Sequence, residues 1–286
     1  MPELPEVQAL VTDLRGRLVD RVVDRLDIVA FSALKTFDPP LSALAGATIT
    51  AVERRGKFLD LTADDVHVVL HLARAGWIRW RNAAPVPSGR PGKGPLAARL
   101  VLDDGSGLDI TEAGTKKSLA LYLVRDPADV PGIARLGPDP LAPEFTEEVF
   151  ARLLGAAGRA QIKGVLRSQS VIAGIGNAYS DEILHAARMS PFKPASMGED
   201  EVARLYAALR RTLMEALERA DGLTASELKR EKKSGLRVHG RTGEPCPVCG
   251  DTVREVIFAD STLQYCPTCQ TSGRPLADRV LSRLVK

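Results

Sequence analysis

Pro2, Glu3 and Glu6 stand together at the start of the chain, in Met1-Pro2-Glu3-Leu4-Pro5-Glu6-Val7-Gln8. Removal of Met1, favoured by the small residue that follows, would leave the ring nitrogen of Pro2 as a free secondary amine. An α-amino group titrates near about 7.7–8.0, against roughly 10.4 for a lysine, so a sizeable fraction is unprotonated around neutral pH. When a secondary amine attacks an aldehyde-like carbon and water leaves, the product is an iminium with no N–H to lose. Its fixed positive charge is an electron sink of the kind that covalent catalysis uses to divide one hard step into two easier ones. Glu3 and Glu6, three residues apart, share one turn of any helix that starts here and would flank the amine. The same residues also suit an ordinary helix start, with proline in the first turn and acids at the positive end of the dipole.

A second constellation lies near the other end. The chain holds four cysteines, all between residues 246 and 269, as Cys246-x2-Cys249 and Cys266-x2-Cys269 with sixteen residues between the pairs. That spacing fits a zinc ribbon. Two thiolate pairs on facing turns complete a tetrahedral four-sulfur shell with no open position for a substrate, so one structural Zn2+ is expected. A β-hairpin over 253–258 and 263–265 would project from this knuckle. Lys229, Arg230, Lys232, Lys233, Arg237 and Arg241 precede it, a cluster that suits a phosphate backbone and would equally suit a solvated helix end.

The elements that position these groups follow from periodicity. Leu4, Val7, Leu10, Val11 and Leu14 recur at helical spacing, which predicts an amphipathic helix over 3–18. Segments 21–30, 47–55, 57–62, 66–72, 77–81, 98–102, 108–111 and 118–124 are short, β-branched or alternating, and punctuated by turns. They predict an antiparallel β-sandwich or barrel that carries the first helix. Residues 82–96, rich in proline and glycine, read as a long loop. The proline-punctuated stretch 126–143 reads as a linker between domains. Helices are expected beyond it at 146–154, 159–170, 177–188, 199–220 and 224–232. The second and third of these join through Gly174-Ile175-Gly176-Asn177, which would expose backbone amides at a helix start suited to phosphate. The expected domains are 1–125, a helical domain over 144–235, and a zinc finger with tail over 236–286.

Composition narrows the class. A chain of 286 residues with 44% hydrophobic and 26% charged content is that of a globular protein with material for two domains. A net charge of +3 allows a nucleic-acid partner without demanding one. No apolar run reaches membrane-spanning length and no secretory signal is visible, so a cytoplasmic location without membrane contact is expected. Clustered cysteines in a reducing compartment favour metal over disulfides.

In this order, the motifs resemble the formamidopyrimidine-DNA glycosylase and endonuclease VIII family. The resemblance covers nearly the whole chain: Met1 to Val7, Arg54-Arg55-Gly56-Lys57-Phe58-Leu59, His71-Leu72, Leu136-Gly137-Pro138-Asp139-Pro140-Leu141, Ile162-Lys163, Gly174 to Tyr179, Val238-His239-Gly240 and Tyr265 to Gln270. It implies an α+β fold. An N-terminal antiparallel β-sandwich with an N-terminal helix would join a C-terminal helical domain with a helix-two-turn-helix element and a zinc-finger β-hairpin, the two gripping DNA between them. It implies a monomer acting, in the nucleoid, on double-stranded DNA with damaged bases or abasic sites, and extrusion of the damaged base from the stack. Pro2 would be the nucleophile, Glu3 the general acid, Glu6 an orienting group and Lys57 a phosphate contact that assists elimination. His71, Lys163 and Asn177 would bind phosphates around the lesion.

Three departures bear on the substrate. Family members usually continue His-Leu with Gly-Met, whose methionine fills the hole left by the flipped base. Here Ala73-Arg74 follows, and the Arg74 guanidinium could stack there or pair with the orphaned base. The Arg-Phe pair common on a later loop is absent from the stretch Glu112 to Ser118. Ser261, beside Asp260, stands where a zinc-hairpin arginine is expected, which puts δ-elimination in doubt while leaving β-elimination expected. The preferred base stays open among oxidised purines, oxidised pyrimidines and abasic sites. The rival class is a zinc protein that binds damaged DNA without chemistry.

Overall fold

The computed structural model describes residues 1–83, 94–259 and 261–276. Most of the expected 82–96 loop therefore lies outside the described residues, as does Asp260. The chain forms two compact units. One comprises Met1–Leu136 with Ala220–Lys229, the other Gly137–Arg219 with Arg230–Lys286.

The first unit opens with α1 (Leu4–Leu18). Its apolar face, Leu4, Val7, Leu10, Val11, Leu14 and Leu18, is buried almost completely, as the helical spacing requires. Eight strands follow: β1 (Val23–Ile28), β2 (Ile49–Arg55), β3 (Phe58–Ala63), β4 (Val66–His71), β5 (Gly76–Arg81), β6 (Leu96–Leu102), β7 (Gly107–Glu112) and β8 (Ala120–Val124). They form two four-stranded antiparallel sheets, in the orders β1-β6-β7-β5 and β2-β3-β4-β8. One continuous apolar core unites α1 with both sheets, so the sandwich expected from period-two patterning is the architecture found.

Segment 220–229 departs from the expected boundaries. The helical pattern alone assigns it to the helical domain, but Ala220, Ala225 and Leu228 join the core of the first unit. The Trp77 indole N–H donates to the Ala225 carbonyl at 2.7 Å, and the Lys229 ammonium sits 4.6 Å from the Trp77 ring centre. An indole buried this deeply needs a partner for its N–H, and this segment supplies it.

The second unit contains α2 (Glu147–Ala157), α3 (Ile162–Arg167), α4 (Asn177–Ala186), α5 (Glu199–Ala220), α6 (Leu228–Gly235), a hairpin of β9 (Arg254–Ile257) and β10 (Thr262–Tyr265), and α7 (Pro267–Thr271). The last residue of α5 and the first two of α6 belong to the first unit. The Leu136 to Leu141 motif serves the hairpin of α3 and α4. Gly137 donates its N–H to the Gln169 carbonyl at 2.8 Å, and a Cβ at Gly137 would lie 2.5 Å from the Val171 carbonyl oxygen, so only glycine permits the approach. Gln169 then ties the connection by donating to the Ile175 carbonyl and accepting from the Gly174 amide.

Candidate active site and zinc centre

In the first unit the α1 start is tightly built. Pro2 is buried, and Glu3 and Glu6 are each 2% exposed. Glu3 is the N-cap of α1, and the two glutamates form a capping box, with the Glu3 N–H donating to Glu6 Oε2 at 2.8 Å. That bond fixes the residue next to Pro2 and supplies a helix-start donor with an acceptor. Helix-start chemistry and an acid-flanked Pro2 therefore coincide in one arrangement.

Lys57 occupies the two-residue turn between β2 and β3, where Gly56 takes a positive φ of 57°, and not the strand itself. Arg15 donates to the Val52 carbonyl, and Arg54 donates to Gln8 Oε1 and to the Gly56 carbonyl. As β2 advances, these contacts step back along α1 towards its N-terminus, so the turn that carries Lys57 is directed at the end that carries Pro2. The Lys57 side chain is 7% exposed. His71, at the end of β4, pairs with Phe58 across the ladder, and their rings lie 4.7 Å apart. Burial and the nearby Lys57 charge hold His71 down at about 4, so it is neutral at physiological pH.

That shift carries a sign. Between pH 6.5 and about 4 the unfolded chain binds a proton at His71 that the folded protein does not. Stability from this group is complete above 6.5 and falls as pH drops through the window, by up to about 1.4 kcal/mol per pH unit. Denaturation from pH 7 to 4 should show a shallower loss for His71→Gln than for the unmodified protein; identical slopes would mean that His71 titrates normally.

Arg74 is exposed in the turn between β4 and β5. Ala73 before it takes a φ of 50°, the left-handed region that costs a non-glycine residue roughly 1–2 kcal/mol. The glycine that the resemblance leads one to expect would hold this turn without strain. The neighbouring loop, which begins at Glu112, donates the Ala113 N–H to the Ala75 carbonyl. The buried Glu112 carboxylate gathers the Ser118 and Leu119 amides. Lys116 and Lys117 are exposed on this loop.

In the second unit, Lys163 is held by neighbours on α4. It is 5% exposed, and its Nζ donates to Asp181 Oδ1 at 2.6 Å, Ser180 Oγ at 2.8 Å and the Asn177 carbonyl at 3.1 Å. In the free protein the ammonium is engaged inside the unit, and Lys163 ties α3 to the start of α4. Lys163→Met would strand the fully buried Asp181 and should cost about 3–5 kcal/mol of stability. Urea unfolding of the zinc-loaded protein measures this; a loss below about 1 kcal/mol would place the ammonium in solvent.

Asn177 begins α4 and donates its side-chain amide to the Thr262 carbonyl at 2.7 Å, while its Oδ1 is buried with no partner. The residues that periodicity did not single out are Asp181 and Glu182. Asp181 accepts from Lys163, from the Gln264 amide and, at 2.7 Å, contacts His239 Nδ1. Glu182 receives the amides of Arg237, Val238 and His239. Burial raises its pKa against those three bonds. The two carboxylates fasten the Val238-His239-Gly240 motif and β10 to α4. Buried charges are tolerated when fully bonded, but nothing in an amphipathic pattern marks them in advance.

The four cysteine sulfurs all lie within 4.8 Å of one another, with Cys249 and Cys266 at 3.3 Å and Cys246 and Cys269 at 3.9 Å. A tetrahedral zinc with sulfurs at about 2.3 Å sets them about 3.8 Å apart, so the donors fit one Zn2+. Burial pushes the Cys266 thiol up to about 11 and raises Cys269 as well. Binding therefore has to displace protons that a dication readily displaces. With its shell closed by four sulfurs, the zinc is structural. No helix among the described residues is long and apolar enough to cross a membrane.

The comparisons with known proteins agree with this arrangement. Residues 1–115 match the formamidopyrimidine-DNA glycosylase N-terminal domain, 136–227 its H2TH domain, and 243–271 the zinc finger found in FPG and IleRS. Formamidopyrimidine-DNA glycosylase of Symbiobacterium thermophilum is 37% identical, over 94% of this chain and 89% of the relative. An uncharacterized formamidopyrimidine-DNA glycosylase-like protein of Mycobacterium tuberculosis is 55% identical over 160 residues, 56% of this chain and 99% of the relative. The structure of Lactococcus lactis formamidopyrimidine-DNA glycosylase bound non-covalently to DNA containing an AP site superposes with a TM-score of 0.80 at 26% identity, covering 94% of this chain and 99% of that one. On these matches, and on the fold and zinc centre that accompany them, the chain belongs to the formamidopyrimidine-DNA glycosylase family.

Proposed function

We propose that the protein is a base-excision DNA glycosylase with abasic-site lyase activity, working through Pro2 on damaged double-stranded DNA. The observation that carries this reading is the α1 start: Pro2 is buried beside two almost fully buried glutamates, one of which bonds the backbone N–H next to the nucleophile. Family membership, and the abasic-site DNA held by a relative of the same fold, support DNA as the partner.

With Met1 removed, the Pro2 nitrogen attacks the sugar C1′, the glycosidic bond breaks, and the base departs with the proton that the Pro2 nitrogen gives up. Glu3 protonates the ring oxygen as the sugar opens, which leaves C1′ doubly bonded to nitrogen as an iminium. Glu3, now a carboxylate, takes a C2′ proton, the C–H electrons pass into the iminium to give an enamine that expels the 3′ phosphate with its bonding pair, and hydrolysis of the regenerated iminium returns the free amine. Lys57 stabilises the departing phosphate. His71, neutral in the free protein, gains a reason to protonate when a phosphate approaches, and Asn177 would serve a phosphate through its side-chain amide N–H, which in the free protein donates to the Thr262 carbonyl. Arg74, exposed in the turn between β4 and β5, would fill the gap that the extruded base leaves, and its planar cation suits a base face or edge.

Cleavage of a panel of duplexes, each with a single oxidised base or abasic site, tests the reading with base release and strand scission scored separately. The unmodified protein should do both. Lys57→Ala should lose about 100-fold in scission and markedly less in base release. Equal losses would remove Lys57 from elimination, and no release or scission on any duplex would leave only damage binding.

A further inference from the structure

Helix α4 is buried along its length, with every residue from Ala178 to His185 buried. Within it Asn177, Asp181 and His185 recur every fourth residue and share one face. Asn177 bonds the Thr262 carbonyl and Asp181 the Gln264 amide, both on β10. His185 ends the row, and its Nε2 lies 3.3 Å from Cys246 Sγ.

We propose that His185 is a positioning residue of the zinc centre, donating a hydrogen bond from Nε2–H to the Cys246 thiolate and fastening the metal to α4. His185 is 2% exposed, and its Nδ1 is buried with no partner. A buried polar atom left unsatisfied costs about 1–3 kcal/mol, a cost that an apolar side chain of similar size in this helix avoids. The sulfur contact is what the imidazole gains in return. Turning the ring over would remove Nε2 from the sulfur and forfeit that contact, so the tautomer with hydrogen on Nε2 is the one that fits. The other pairings in the cluster follow the same chemistry. Cys266 Sγ accepts from the Cys269 amide at 3.5 Å, and Cys249 from the Asp251 amide. Four thiolates on one dication leave an excess of negative charge, and Cys246 and Cys266 carry their share of it in buried positions. An N–H aimed at sulfur spreads that charge and fixes the ligand's direction.

This assignment depends on the zinc site and not on glycosylase activity, so it stands or falls separately from the proposed reaction. The test is zinc retention by the full chain against a chromophoric chelator. His185→Phe keeps the volume and removes the donor, and should weaken zinc binding about 10–100-fold. His185→Gln restores an N–H donor and should recover most of that loss. Unchanged zinc affinity in His185→Phe, or equal losses in both variants, would overturn the proposal, the second outcome assigning His185 to packing alone. Should neither variant fold, the unmodified protein loaded with cadmium-113 still decides. A slowly exchanging imidazole N–H with scalar coupling to the metal is expected, and its absence would overturn the bond.

Discussion

Cys249→Ser should lose its zinc and its DNA binding together, while leaving Pro2 chemically intact. Structural zinc contributes on the order of 10–16 kcal/mol to small finger folds, and serine cannot replace the thiolate in a soft four-sulfur shell. The loss spreads beyond the ribbon because the ribbon is held to α4 at several points. Glu182 binds the amides of Arg237, Val238 and His239, Asp181 meets His239 and Gln264, and His185 meets Cys246. A collapsed ribbon removes the partners of two buried carboxylates, and Asn177 at the helix start loses its anchor on Thr262. Colorimetric zinc release and titration with labelled abasic-site duplex measure the two losses. A variant that binds DNA normally without zinc would show that the finger is not a DNA-binding element of this protein.

Where one face of an element is buried, its position was legible in the sequence. Period-3.6 spacing located α1, and period-two runs located all eight strands of the sandwich to within a few residues, because burial imposes those periods directly. The zinc centre was legible because ligand spacing is a local property of the chain. What escaped depends on contacts between distant segments. Trp77 reads as one residue of a strand, and nothing near it announces that Ala225 will receive its N–H. Asp181, Glu182 and His185 look like the polar positions of an ordinary amphipathic helix until α4 is found buried on every side. The Lys163 contacts were hidden for the same reason: nothing in the local pattern shows that its ammonium will meet Asn177, Ser180 and Asp181. Helix α6 begins later than its pattern suggested, since the stretch before it is a turn held by the Glu227 side chain, which receives the Thr224 amide and hydroxyl.

Blocking Pro2 should have the largest effect of any single change. An N-terminal extension turns the amine into an amide, which has no nucleophilic lone pair and cannot form an iminium. Pro2→Gly keeps an amine, but a primary one, whose imine can shed its proton and lose the permanent charge that makes the electron sink. Both changes leave the zinc centre and the α3–α4 hairpin untouched, so DNA binding should persist.

The most direct measurement is borohydride trapping on a DNA strand containing an abasic site, with mass spectrometry confirming that the protein begins at Pro2. Reduction should convert the iminium of the mature protein into a stable amine and yield a covalent adduct whose DNA-bearing peptide is the N-terminal one. The extended protein should give no adduct, and Pro2→Gly far less. Absence of an adduct with the mature protein, or equal trapping when the N-terminus is blocked, would contradict Pro2 as the nucleophile.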